Sequence, residues 1–458
     1  MKTTFSGWRF LWKSQDIRRK LLVTLLILVI YRLAANIPVP GINSSALKQL
    51  MANLGASGSF FNFLDLLSGG TVSRFSLLAM GVYPYITAQI IVQLLAPIFP
   101  ALERKLKDDP REGRKWMEKW TYYLAVPMAI LSAIGQINIF NSYASVGNIG
   151  QIVNFGWGAT QWLPSLAILA AMVGGTMFAI WLGELISEYG IRGQGLSLII
   201  FAGIVARMPA NFGAIWADEA SRWPMLIVMV LIIVATVYVI VYIQQGRRNV
   251  PVMYPGRRMG NRMSMPVKGT LPLMVNLAGM IPLIFASAIL QFPAIVASYF
   301  VNPAKYSEGT VKFFTGIQST FGGGSWVYWL LYFLMVVGFT FFYTDVMFSQ
   351  QNYGENLKKV GAQIPGVNRG TPTQKYLTKV QRRITLPGAL FLGIVAVLPY
   401  LIGLALKAVG VGTATSSSTL FLVSSAGLLI VVGVVRDTFL NIDAELKMHG
   451  YDEKLLVK

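Results

Sequence analysis

Residues 60–97 read FFNFLDLLSGGTVSRFSLLAMGVYPYITAQIIVQLLAP, an apolar stretch broken in an unusual place. It begins as a short, half-polar helix signal from Phe60 to Leu67 and stops at Ser68-Gly69-Gly70. It restarts at Phe75 and runs to Ala96, long enough to cross a bilayer. The first piece is too short to cross and carries Asp65. Most of the remaining chain consists of spans, so a half-helix is not needed for anchoring. It suits an element that occupies a cavity, and this suggests a gate.

The composition agrees with that reading. Of 458 residues, 54% are hydrophobic and only 13% charged, and several apolar runs reach the length of a transmembrane helix. The runs do not alternate polar and apolar residues as barrel strands do. The chain is therefore expected to be an all-α polytopic membrane protein. Its 44 glycines suit closely packed membrane helices. Cysteine is absent and the single histidine is His449, which excludes disulfides, HExxH zinc sites and His-paired nucleophiles. No P-loop and no GxSxG elbow occur. No catalytic set, cofactor or metal site is expected, and energy for any work must come from a partner or an ion gradient. The first apolar run ends in the turn 36–41 with no cleavage site after it, and is expected to be retained as a span.

Ten spans are expected, near 20–38, 75–97, 120–140, 164–187, 195–213, 223–243, 271–299, 326–348, 384–405 and 418–436. Of the 39 basic residues, 31 fall on the side that carries the N terminus, seven fall on the other, and Arg32 lies within the first span. The positive-inside rule then makes both termini cytoplasmic. Two of the cytoplasmic segments, 244–270 and 349–383, are longer than topology requires. The first contains no acidic residue. Such loops suggest a docking surface for something large. The spans hold almost no charge: Glu184 and Asp345 sit toward cytoplasmic ends and Arg207 toward an outer end. A secondary transporter with inverted repeats is the alternative reading. It usually keeps an ionisable group at mid-depth, and none is visible. An intramembrane protease lacks a plausible catalytic set.

Several long motifs carry a resemblance. They are Ser76 to Leu95; Gly175 to Phe178 with Trp181 to Glu184 and Gly190-Ile191; Ile199 to Val205; Asn276 to Pro282; Phe342-Tyr343-Thr344; Asn356 to Lys359; and Leu428 to Val432. In this order they resemble the SecY family, the pore-forming subunits of bacterial protein-conducting channels, over nearly the whole chain. The resemblance implies ten helices in two inverted five-helix halves around an hourglass pore. The halves would be 1–213, including a plug at 60–73, and 214–436, followed by a cytoplasmic tail at 437–458. Translocation of unfolded secretory chains and sideways release of apolar helices into lipid are implied, without catalysis.

The matching positions imply roles. Val82, Ile86, Ile200, Ile284 and Ile430 would form an apolar pore ring, able to block ions by dewetting. Ordinary helix packing is the alternative for any one of them. Asn62, Phe63, Leu64, Asp65, Leu66, Leu67, Ser68, Gly69 and Gly70 would form the plug, either swinging on Gly69-Gly70 or staying as a fixed re-entrant element. Gln93 and Asn276 would lie at a lateral gate between spans two and three and spans seven and eight. Arg247, Arg248, Arg257 and Arg258 in the first long loop, and Lys358, Lys359 and Arg369 in the second, would dock the ribosome or the SecA ATPase motor. An Arg on an extended tip suits rRNA phosphate, and topology alone is the competing account. Small SecE and SecG subunits, signal peptides and nascent chains, and anionic lipids are the other implied partners. The sequence also departs from the family pattern. Asn368 stands where an Arg is usual and Arg369 follows one position late. The bend 190–195 carries one extra residue. Asn249 and Gly256 fall where bases are common.

Overall fold

The computed structural model describes residues 15–54, 70–96, 99, 110–146, 152–156, 158, 161–191, 193, 195–216, 222–255, 258–259, 262–263, 267–298, 300, 307–321, 325–408 and 425–448. In chain order come α1 (Gln15–Ala34), α2 (Ser44–Leu54), α3 (Tyr83–Leu95), α4 (Pro110–Val146), α5 (Trp162–Tyr189), α6 (Gly195–Trp216) and α7 (Arg222–Gln244). Strands β1 (Arg247–Tyr254), β2 (Arg258–Met259), β3 (Arg262–Met263) and β4 (Val267–Met274) follow. Then come α8 (Ile281–Ser298), α9 (Glu308–Phe321), α10 (Trp326–Gln350), α11 (Tyr353–Lys359), α12 (Thr371–Ala408) and α13 (Ser425–Met448). Apart from α2, α9 and α11, each helix stands at one of the ten expected spans. Four helical stretches, Arg111–Asn141, Trp162–Tyr189, Trp326–Lys359 and Thr371–Leu398, are long and apolar enough to cross a membrane by length and composition.

Two spans start later than the apolar runs suggest. The second becomes helical at Tyr83 rather than Phe75, with Pro84 in its first turn. Pro is tolerated there because its missing N–H is not needed, whereas deeper in a helix it would clash with the carbonyl four residues back. Upstream, Phe75 (φ 45°) and Gly81 (φ 53°) turn the chain in left-handed conformations. The seventh span becomes helical at Ile281 rather than 271, for the same reason: Pro282 lies in its first turn and Gly279 has φ 64°. Residues 271–274 belong to β4.

Irregular backbone at this depth must be bonded within the protein. At the end of the molecule opposite the strands, segment 36–43 provides the partners. Val39 N donates to Phe75 O (3.2 Å), Leu77 N to Ile37 O (2.8 Å) and Asn43 N to Ile152 O (3.0 Å). The Thr71 hydroxyl donates to Leu78 O (2.9 Å). Asn141 completes the cluster, donating to Val153 O at 3.0 Å and accepting from Val153 N at 3.2 Å. Phe75 is fully buried and meets Phe140 edge-on at 5.0 Å, which anchors the strained turn in the core.

The helix contacts form two groups. Helix α1 packs on α5 and α6, α3 on α4, α4 on α5, and α5 on α6. In the second group, α8 packs on α9 and α10, α10 on α12, α12 on α13, and α13 on α7. The groups meet where α6 touches α7 and α13, and where α8 touches α3 and α4.

At the strand end, β1 and β4 form an antiparallel ribbon from Arg247 opposite Met274 to Tyr254 opposite Val267. Met253 and Gln363 exchange both backbone hydrogen bonds at 2.8 Å, which ties the ribbon to the segment after α11. Val250, Val252 and Leu273 of the ribbon share a small core with Phe348, Ala362, Ile364, Leu377 and Ile384. The two long loops of the sequence are therefore one structured unit.

Candidate pore, gate and docking surface

The late start of α3 positions the pore candidates. Val82 lies just before the first turn and Ile86 lies on that turn. Val82, Ile200 and Ile430 are buried together with Leu78, Ile199, Ile204 and Val434, and Ile86 packs on the edge of this cluster. Ile284 is also buried, in the first turn of α8. Its neighbour Leu283 accepts a hydrogen bond from the Tyr332 hydroxyl at 3.4 Å. Ile86 also packs in a second cluster with Ile90, Ala278, Phe285 and Tyr343, so it links the ring candidates of α3, α6 and α13 to the first turns of α8. Four of the five positions thus share one apolar cluster, and the fifth, Ile284, is buried outside it.

That second cluster is the seam between α3, α8 and α10. Phe285 meets Phe339 and Tyr343 edge-on, at 5.9 and 5.8 Å. Asn276, two residues before Ala278, is buried. Its Nδ2 donates to Gly279 O at 3.2 Å, while its Oδ1 has no hydrogen bond among the described residues. A buried acceptor left in this way costs about 1–3 kcal/mol. Gln93 is half-buried on α3, two turns from Ile86.

Of the plug positions, Asn62 to Gly69 lie outside the described residues. Gly70 is described and has φ 88°, a conformation that L side chains rarely adopt. Immediately after it, Thr71 and Val72 are already buried.

The basic residues are not grouped as the sequence suggests. Arg247 and Arg248 are exposed at the base of the ribbon, beside the helix ends, rather than at a tip. Arg258 opens β2 toward the far end, and Arg257 lies outside the described residues. Lys358, Lys359 and Arg369 are exposed around the end of α11 and the following turn. The Met253–Gln363 pairing brings the two sets onto the same unit. Asp345, a lone carboxylate in the sequence, takes a forked ion pair from Arg382 of α12, with Nε 3.1 Å from both oxygens. Sequence reasoning also missed Gln381, which donates to Met274 O at 3.1 Å. No local pattern marks such a pair, because the partners lie 107 residues apart.

This arrangement matches known proteins. The SecY family model matches residues 76–439. Protein translocase subunit SecY of Streptomyces griseus is 36% identical over 459 residues, covering 98% of this chain and 99% of that protein. The SecY subunit of Mycobacterium bovis is 35% identical over 450 residues, covering 96% and 97%. Among solved structures, a protein-conducting channel superposes with a TM-score of 0.59 at 18% identity, over 96% of this chain and 95% of that one. A SecY structure whose plug domain stabilises the closed state of its channel gives 0.60 at 16% identity, with the same coverage. With near-complete coverage at this identity and the same helical architecture, the chain belongs to the SecY family of protein-translocation channels.

Proposed function

We propose that this chain passes unfolded secretory proteins through a central constriction and releases apolar segments sideways into a bacterial cytoplasmic membrane. Residues 1–213 and 214–436 act as the two halves of a clamp. Val82, Ile86, Ile200, Ile284 and Ile430 form the constriction. The observation that carries this reading is the convergence of Val82, Ile86, Ile200 and Ile430, from three separate helices, into one buried apolar cluster. A ring of branched apolar side chains excludes ions by dewetting yet yields to a passing chain. Residues 62–70 act as the plug. Thr71 and Val72 are held in the core, so any swing is confined to Gly70 and the residues before it.

The seam where α8 meets α3 and α4 acts as the lateral gate, with Gln93 and Asn276 lowering the cost of parting it. The ribbon and the turn around Lys358, Lys359 and Arg369 face the cytoplasm, as do both termini, and dock the ribosome or the SecA motor. SecE and SecG would cover part of the exposed apolar helix surface, such as Ile227, Leu231, Val234 and Tyr238 of α7, and anionic lipids the rest. The chain itself performs no catalysis.

Reconstitution with a nascent chain bearing a photocrosslinker in its signal sequence tests the reading. Crosslinks to Val82, Ile86 and the seam helices are expected, and crosslinks confined to the α6–α13 side would overturn it. Deleting Asn62 to Gly70 is expected to raise ion conductance of the resting channel in a planar bilayer, and unchanged conductance would remove the plug.

A further inference from the structure

Between the docking ribbon and the gate helix lies no slack linker. Strand β4 ends at Met274 and α8 begins at Ile281. A displacement of the ribbon therefore reaches the gate through 275–280 unless something intercepts it.

The start of this stretch is held from three directions. Val275 N donates to Gly246 O at 3.0 Å. Gly388 of α12 lies so close that a Cβ there would come within 2.6 Å of the Val275 carbonyl oxygen. Gln381, 1% exposed, donates from Nε2 to Met274 O. The Gln381 amide also approaches Thr385 Oγ1 at 3.4 Å, while its Oε1 has no hydrogen bond among the described residues. A buried amide with an idle acceptor is costly, and a Met of similar volume would avoid that cost. What the amide supplies there is the donor to the ribbon.

Further on, the restraints change. Among the described residues, the Asn276 side chain bonds only to Gly279, within the same turn. Gly279 has φ 64°, and Ala278 contributes an apolar contact to the Ile90 cluster. Leu277 still packs on the core that the ribbon shares with α12, so the fixed stretch runs to Leu277 and the joint is Ala278 to Met280. The neighbouring Arg382–Asp345 pair ties α12 to α10, but its exposed guanidinium makes it a weak clasp.

We propose that Gln381 is a positioning residue for gate movement. Its bond to the Met274 carbonyl fixes the end of the ribbon to α12 beside the apolar core they share, so that load on the ribbon turns α8 about residues 278–280. This rests on the docking role proposed above. The mechanical part can be read separately, without any partner.

The cysteine-free chain accepts spin labels at chosen sites. Labels at exposed Thr270 and Lys379 report the distance from ribbon to α12, and labels at Leu95 and Ile289 report the gate seam. In the unliganded full chain, the first pair should give one narrow distance. Gln381→Met and Gln381→Asn, which is too short to reach the carbonyl, should both broaden it. Thr385→Val, which leaves the Met274 bond intact, should not. With purified ribosomes added, wild-type protein should separate the gate pair. Gln381→Met should bind ribosomes equally well yet show at least about a threefold smaller separated fraction. A narrow Thr270–Lys379 distance in both Gln381 variants overturns the proposal, as does full gate separation in Gln381→Met. Failure of ribosomes to bind wild-type protein overturns the docking reading alone, since the unliganded distances still decide the clasp.

Discussion

The two groups of helices meet at two seams, and the seams are built differently. Where α6 meets α13, Ile199, Ile200 and Ile204 share one apolar cluster with Ile430 and Val434. Where α8 meets α3 and α4, Ile90, Ala278 and Phe285 share an apolar cluster, and the same segments carry the half-buried Gln93 and Asn276, whose Oδ1 has no hydrogen bond among the described residues. Helices in lipid gain little from hydrophobic burial, so packing and hydrogen bonds decide how firmly they hold. Stiff branched side chains make the first seam a tight interlock. The second is looser: it includes a small Ala, a positive-φ Gly in the adjoining turn and a buried carbonyl without a donor. Under the proposed function the second seam is the one that parts, while at the first only Ile200 and Ile430, assigned to the constriction, yield to a passing chain.

The most severe test is to lock each seam in turn. A short thiol crosslinker between Ile90→Cys and Ala278→Cys should abolish translocation of a secretory substrate in proteoliposomes. The same crosslinker between Ile204→Cys and Val434→Cys should leave most of the activity. Equal loss in both would erase the distinction between the two seams.

Truncation should separate the seams next. Ile199→Ala removes a fully buried branched side chain from the interlocked seam. It should cost about 2–5 kcal/mol, read as a lowered unfolding midpoint in detergent, with unchanged resting conductance. Ile90→Ala, at the looser seam, should shift the midpoint less and raise resting conductance instead. The opposite pattern would exchange the roles of the two seams.

Much of this was legible in the sequence. Each of the ten apolar runs coincides with a helix among the described residues, because apolar length is a local quantity. The broken stretch at 60–97 pointed to an irregular element. Its second half was over-read as helix from Phe75, although Pro84 and Gly81 were present to signal the later start. Pro282 and Gly279 gave the same signal at the seventh span. The ribbon was not visible as strands. Its Pro251 and Pro272 argue against a central strand, but a two-stranded ribbon has only edges, where Pro is tolerated. Gln381 and the Met253–Gln363 pairing were out of reach, since they join segments distant in sequence.

Asn276→Leu should strengthen the weaker seam by removing the unsatisfied oxygen. A gain of about 1–2 kcal/mol for the closed form would reduce the open population roughly 5- to 30-fold. Substrates with weakly apolar signal sequences should then fail to insert while strongly apolar ones still enter, as measured by signal-sequence cleavage or protection. Uniform loss for all substrates would mean that Asn276 supports the fold rather than the threshold.

The smallest effect concerns the docking surface, where the two basic sets differ in position. Arg247 and Arg248 stand at the base of the ribbon, close to the helix ends, whereas Lys358 and Lys359 project from α11. Under the proposed docking, α11, tied to the far part of the ribbon through Met253 and Gln363, presents the lysines to a ribosomal phosphate ahead of the arginines. Each lost phosphate contact should reduce the slope of log affinity against log salt by about 0.7–0.9. Lys358→Glu with Lys359→Glu should therefore flatten the salt dependence of ribosome binding more than Arg247→Glu with Arg248→Glu. If the arginine pair has the larger slope change, the contact runs along the ribbon to its base. If neither pair changes it, their charge serves only to set topology.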